Sequence, residues 1–409
     1  MDLILLSMVV FTGVILVLVL ILNFAESKLL PQGDVTISIN GDSTRGITTR
    51  PGGTLLSVLA NETIYLPSAC GGGGTCAMCK CQVLDGGGEI LPTETGHVSR
   101  SEAKDNWRLA CQVKVKENMK IHVPDEIFSI QKWECKVKSN KNVATFIKEL
   151  ILDLPDDEIL DFQAGGYIQI DIPEYKNLSF NDFFVEDKYH PDWDKYNVWG
   201  LVANNDEPIF RAFSMANHPA EGNRVMLNVR IATPPPPLWN DVPPGLASSY
   251  IFNLKPGDKV TISGPYGEFF IKESEREMVY IGGGAGMAPM RSHLFHLFET
   301  LKTGRKVSFW YGARSVREIF YDDHFKQIEK QFPNFSYHVA LSDAMEEDNW
   351  TGPTGFIHQV LHDEYLSLHE DPTELEYYMC GPPPMISAVE GMLDNLGVEP
   401  EMIAYDSFG

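Results

Sequence analysis

Between Cys70 and Cys79 the chain reads Cys-Gly-Gly-Gly-Gly-Thr-Cys-Ala-Met-Cys, so three cysteines sit on a loop made almost wholly of glycine. Few patterns restrict a fold as tightly. Thiolates that converge on an inorganic core need a backbone wrapped closely enough to aim amide N–H groups at the sulfurs, and glycine, lacking a Cβ, permits that approach. A disulfide framework would call for an even set of cysteines in a small secreted domain. Here seven cysteines lie in a chain of 409 residues. A structural zinc site would show two Cys-x₂₋₄-Cys pairs, and only Cys76–Cys79 has that form. The loop therefore predicts an iron–sulfur cluster on Cys70, Cys76 and Cys79, with Cys111 as fourth ligand. Cys81, carried on the strand that follows, reads as a buried structural thiol, and Cys135 as inert.

At about 150 residues per domain, this length accommodates two or three domains. A formal net charge of −23 leaves no basic stripe to displace counterions, which excludes a nucleic-acid partner. Clustered free cysteines point to a reducing compartment. Ahead of the loop, Leu3 to Ala25 carries no charged side chain. As a helix it would span about 34 Å, against roughly 30 Å for a bilayer's hydrocarbon core. A cleaved signal peptide would want a basic start and a shorter apolar run, whereas Asp2 precedes this one. A retained transmembrane anchor over residues 1–27 is expected. Lys28 and Arg45 follow it, which places the body in the cytoplasm.

Val35–Ile39 and Arg45–Thr49 read as strands, and Thr54 as the N-cap of a helix over Leu55–Asn61. Another strand follows around Cys79 to Leu84. Residues 34–128 resemble the [2Fe–2S] ferredoxins of β-grasp fold, on Pro67-Ser68-Ala69-Cys70, the glycine loop, Cys76-x₂-Cys79 and Leu109-Ala110-Cys111. The plant-type spacing has four residues between the first two cysteines; this chain has five.

Alternating strands resume at Trp133. A stretch rich in Asp, Glu, Tyr and Trp, about 153–205, breaks their rhythm and reads as a solvated insertion, with a surface for docking another protein of a complex as the alternative. The run Pro208 to Asn217 contains Arg211-Ala212-Phe213-Ser214; a strand Val225–Ile231 follows, then Pro243-Pro244-Gly245-Leu246-Ala247-Ser248 entering a helix. The amides of such a helix N-terminus can hold a pyrophosphate. With Asp258–Gly267, residues 130–271 resemble the flavin domain of the ferredoxin–NAD(P) reductase superfamily, an antiparallel β-barrel. That resemblance implies Arg211 on the FAD phosphates, Phe213 against the isoalloxazine and Ser214 near the atom that receives hydride. It also implies Gly245 and Ser248 beside the pyrophosphate. The family usually has Tyr where this chain has Phe213, so stacking survives and a hydroxyl is lost.

Residues 272–409 alternate strand and helix, as a doubly wound parallel sheet does. Glu277 to Met290 reads strand, glycine loop, helix, with Gly282, Gly283, Gly284 and Gly286 small enough to let backbone amides approach a diphosphate. The resemblance puts Cys380 and Gly381 beside the nicotinamide and makes Phe408 a gate at its entry. Arg314 and Arg317 follow the second strand, where a 2′-phosphate would be read, but Glu318, Asp322 and Asp323 counter them, which favours NADH. His293 and His296, like His358 and His362, are read as helix-face histidines.

The expected architecture is therefore multidomain, α+β and α/β: a transmembrane helix, a β-grasp [2Fe–2S] domain, a β-barrel FAD domain and a doubly wound NADH domain. Nearly the full length resembles the family of F subunits in the Na⁺-translocating NADH:quinone oxidoreductases. This implies a bacterial inner-membrane complex of several subunits, electron flow from NADH through FAD and [2Fe–2S] to a membrane acceptor, and ubiquinone as final acceptor through partners. A membrane-tethered, NADH-dependent reductase serving an oxygenase or desaturase is the alternative.

Overall fold

The computed structural model describes residues 8, 10–21, 33–235, 238–239 and 241–407, and the chain divides into two units, Met1–Ile130 and Gln131–Gly409. Residues 10–21 are helical and exposed. No helix of the described residues is long and apolar enough to cross a membrane. The Leu3–Ala25 stretch runs past the described residues at both ends.

In the first unit, strands β1 (Val35–Ile39), β2 (Asp42–Thr49), β3 (Lys80–Asp85), β4 (Trp107–Leu109) and β5 (Met119–His122) form one sheet in the order β2-β1-β5-β3-β4. The central pair β1–β5 is parallel and the other pairs are antiparallel, the mixed arrangement of a β-grasp. In β1 the burial alternates, with Val35, Ile37 and Ile39 inward, as a half-buried strand requires. The helix Leu55–Asn61 buries Leu55, Leu56, Val58 and Leu59, and Thr54 caps it by accepting a hydrogen bond from the Ser57 amide at 3.1 Å.

The second unit opens with an antiparallel six-stranded sheet made of β6 (Gln131–Ala144), β7 (Ile147–Asp153), β8 (Tyr167–Ile172), β11 (Ile209–Ser214), β12 (Arg224–Arg230) and β13 (Lys259–Tyr266). Its order is β11-β8-β13-β6-β7-β12. A bridge between Met215 and Leu227 brings the two edge strands together, so the sheet curls toward a barrel around Ile168, Ile170, Leu150, Leu152, Val225 and Ile262.

The 153–205 stretch differs from a solvated insertion. It contributes β8 to the barrel and a hairpin, β9 (Tyr175–Ser179) with β10 (Val202–Asn205). Its aromatic side chains build a core of their own, with Phe180, Phe183, Tyr189 and Trp193 buried against Ile231 and Phe252. The acidic residues that dominate its composition lie around this core, so the composition described the shell and not the interior.

Next come five parallel strands, β14 (Met278–Gly283), β15 (Val307–Ala313), β16 (Phe335–Leu341), β17 (Glu376–Gly381) and β18 (Ile403–Ser407), in the order β16-β15-β14-β17-β18. β14 is buried throughout: Met278 and Tyr280 face one core, Val279 and Ile281 the other. Burial on both faces explains why it reads as an unbroken apolar run. The strand order reverses between β14 and β17, and a crevice at such a reversal is where doubly wound sheets receive their ligands.

Candidate active site

The loop between Cys70 and Cys76 closes despite its extra residue because Gly71, Gly72 and Gly74 all take positive φ, a region open to glycine at little cost. At Gly74 a Cβ would also stand 2.7 Å from Gln112 Nε2. The Cys76 thiol donates to Cys70 Sγ at 3.4 Å. Cys79 and Cys111 form a second thiol pair, and the Gly74 amide and the Gln112 side chain donate to Cys111, the latter at 3.5 Å.

Hydrogen bonds decide which sulfurs favour the thiolate. Burial pushes Cys70 up, yet amides of Cys76 and Thr75 outweigh it and bring this thiol down to about 6. In the second pair the hydrogen bond from Cys79 lowers Cys111 to about 7, while Cys79 itself is raised by donating that bond and by burial. No three His, Cys, Asp or Glu side chains among the described residues stand around a single-ion position. Two thiol pairs wrapped in amide donors fit a two-iron core with four thiolates. Cys81 and Cys135 are buried, and both thiols are pushed up to about 12, chiefly by burial.

Behind Cys111 lies a device the sequence reading missed. Arg108 and Glu94 form a buried ion pair, 2.6 Å from Nη2 to Oε2. The guanidinium also donates to the carbonyls of Gly87, Gly88 and Glu89. Glu94 in turn accepts from the amides of Leu91 and Leu109, both at 2.9 Å. Every polar edge of the pair is thus met, which is the condition under which a buried ion pair is tolerated.

On the barrel, Arg211, Phe213 and Ser214 follow one another along β11. Period-two alternation puts Arg211 and Phe213 on one face. Arg211 donates to the Phe210 carbonyl at 2.8 Å. Gly245 precedes the helix Leu246–Asn253, and among the described residues no side chain caps that helix, so its first amides can receive an anion. A Cβ at Gly245 would lie 2.6 Å from that of Ala232. Ser248 is occupied inside the turn, donating to the Gly245 carbonyl and accepting from the Ala232 amide, each at 3.1 Å. These features fit a flavin diphosphate held by backbone and Arg211, with Ser248 shaping the turn.

At the carboxyl edge of the parallel sheet, Gly282 and Gly283 end β14, and Gly284 and Gly286 lie in the turn into the helix Met287–Phe295. Gly286 has no room for a side chain, since a Cβ would stand 2.1 Å from the Cys380 carbonyl oxygen. Cys380 pairs with Gly282 on one side and Asp406 on the other. It is fully buried, and burial raises its thiol well above the usual range. Ser214 donates to Asp406 Oδ2 at 2.6 Å, which joins barrel and parallel sheet at one point. Burial holds the Asp406 carboxyl above the usual range, opposed by this bond. Ser214, Cys380 and Gly381 are thus brought together around Asp406, a residue not singled out from sequence. Phe408 lies outside the described residues.

Residues 37–116 match the 2Fe-2S iron-sulfur cluster binding domain family, 198–271 the oxidoreductase FAD-binding domain and 280–391 the oxidoreductase NAD-binding domain. The chain is 60% identical over 403 residues to the F subunit of the Na(+)-translocating NADH-quinone reductase of Actinobacillus pleuropneumoniae, covering 98% of both chains. To the F subunit of the same reductase in Neisseria meningitidis serogroup C it is 57% identical over 406 residues, covering 99% of each. This chain belongs to the family of Na⁺-translocating NADH-quinone reductase F subunits. Among solved structures it is similar to the ferredoxin reductase in carbazole 1,9a-dioxygenase, at 25% identity and TM-score 0.60 over 92% of this chain and 98% of that one. Amycolatopsis cytochrome P450 reductase GcoB shares the fold at 23% identity and TM-score 0.62, over 91% and 98%. As a family member the chain is an oxidoreductase with [2Fe–2S], FAD and NADH as its cofactors.

Proposed function

We propose that this member of the F-type family oxidises NADH and passes the electrons through FAD and a [2Fe–2S] cluster to an acceptor in the membrane, as the electron-input module of a Na⁺-translocating NADH:ubiquinone reductase. One observation carries the reading: end-to-end likeness to the F subunits of such reductases in a chain that holds all three cofactor domains in order. Bound FAD supplies the change from a hydride's electron pair to single electrons, which a [2Fe–2S] cluster takes one at a time.

The chain's own residues divide the work. Cys70, Cys76, Cys79 and Cys111 hold the cluster. Arg211, Gly245 and the turn shaped by Ser248 hold the flavin diphosphate, and Phe213 packs on its ring. Gly282, Gly283, Gly284 and Gly286 admit the dinucleotide, with Gly381 and the buried Cys380 backing the nicotinamide. Ser214 and Asp406 keep a proton positioned between Oγ and Oδ2 at that edge. Phe408 is the candidate gate for nicotinamide entry. Leu3–Ala25 anchors the chain once through the bacterial inner membrane, catalytic units on the cytoplasmic side, and ubiquinone is reduced through the other subunits of the complex.

Purification from native membranes tests this. The expected result is co-purification with membrane redox subunits and quinone reduction by NADH that depends on Na⁺. The similarity to an oxygenase's ferredoxin reductase supports a second reading, a tethered reductase. Recovery of a single oxygenase partner, with no Na⁺ dependence, would establish that one instead.

A further inference from the structure

In a doubly wound sheet the adenosine end of a dinucleotide is met just past the second strand, where an arginine receives a 2′-phosphate and an acidic group a 2′-hydroxyl. Here that strand is β15, and Arg314 and Arg317 follow it. Both are already engaged. Arg314 Nη2 lies 3.3 Å from Asp343 Oδ2 and 3.5 Å from the Tyr196 hydroxyl. Arg317 donates to Asp192 Oδ2 at 3.0 Å and to Glu347 Oε1 at 3.1 Å.

Two of the acids expected from sequence to balance these arginines hydrogen-bond or ion-pair elsewhere. Glu318 is turned inward, accepting from the amide and hydroxyl of Thr145, and Asp322 pairs with Lys326. The direct carboxylate contacts come from two distant segments, the 153–205 stretch through Asp192 and the loop after β16 through Asp343 and Glu347.

Exposed ion pairs exchange readily and are individually weak. Arg314 and Asp343 have side chains 58% and 70% exposed, so a phosphate could compete for the guanidinium. The loop that carries the carboxylates stays beside the arginines, because its backbone is strapped there. The Ser342 amide donates to the Ala313 carbonyl at 2.9 Å and the Asp343 amide to the Arg314 carbonyl at 2.8 Å. Asp348 Oδ2 accepts from the amides of Val316 and Met345, at 3.2 and 3.0 Å. A 2′-phosphate carries about −1.5 to −2 charges at neutral pH. Like charges set side by side at a binding surface exclude the wrong partner, and a ribose that keeps its 2′-hydroxyl brings no such charge.

We propose that Asp343 and Glu347, assisted by Asp192, select NADH against NADPH by holding Arg314 and Arg317 in carboxylate pairs on a strapped loop. This rests on the reading that the chain oxidises a nicotinamide dinucleotide. The test uses the full-length chain with its cofactors: wild type, the double variant Asp343→Asn/Glu347→Gln, and the same variant with Arg314→Ala added. For each, kcat/KM of flavin reduction is measured with NADPH and with NADH, and the affinities of 2′,5′-ADP and 5′-AMP are compared by calorimetry. In the double variant the NADPH/NADH ratio rises at least tenfold, mainly through KM, and 2′,5′-ADP binds more tightly while 5′-AMP changes little. Adding Arg314→Ala cancels both gains. A ratio within twofold of wild type, or a gain that survives Arg314→Ala, overturns the inference. Wild type that NADH fails to reduce would overturn the dehydrogenase reading instead, and the 2′,5′-ADP comparison would still decide the role of these carboxylates.

Discussion

Ser214 and Asp406 stand 192 positions apart and meet at 2.6 Å. A hydrogen bond of this kind, with one partner able to carry charge, contributes about 1.5–3 kcal/mol. Ser214→Ala is therefore expected to slow flavin reduction by NADH by roughly 10- to 100-fold, with a smaller change in KM, as stopped-flow mixing would measure. A second residue sets a pH dependence. His293 is fully buried, and burial pulls it from 6.5 down to about 4, against hydrogen bonding to the Phe269 carbonyl. Its proton is bound more readily in the unfolded chain, so stability is whole above pH 6.5 and is lost as the pH falls toward about 4. At about 1.4 kcal/mol per pKa unit, this amounts to about 3 kcal/mol. Denaturant melts of wild type and His293→Gln at pH 7 and pH 5 should converge on acidification. A gap between them that stays constant would contradict this account.

Among elements, the glycine loop and the Glu94–Arg108 clamp act as one support. The loop brings Cys70 to Cys76. The clamp ties the turn at 87–89 to β4, whose last residue Leu109 lies two positions before Cys111. Glu94→Gln leaves Arg108 buried without its counter-charge, and removing one partner of such a pair costs about 3–5 kcal/mol. The variant's cluster absorbance should bleach at markedly lower denaturant concentration than wild type, while flavin fluorescence keeps its midpoint. Equal midpoints for the cluster would show that the clamp does not support it. The 153–205 stretch also gains meaning as an element. Its aromatic core carries Asp192 to Arg317, 125 positions away, so a segment that composition marked as acidic surface acts on the nucleotide end of the sheet.

At the scale of the whole molecule, the residues assigned to cluster and flavin lie in different compact units, Met1–Ile130 and Gln131–Gly409. Cys70→Ala should abolish the cluster's visible absorbance and leave flavin reduction by NADH intact, and loss of flavin reduction would contradict the order of electron flow. What could be read from sequence alone was whatever is local. The thiol ligands lie in short runs, the helix cap is three residues from its partner, and the glycine turn follows directly on its strand, because spacing along the chain sets those geometries. The tertiary structure decided the rest. Asp406 joined Ser214, Glu94 joined Arg108, and Arg314 and Arg317 donated hydrogen bonds to remote acids. Charged side chains choose partners by distance in space and by what the backbone holds still, and neither is written in the order of residues.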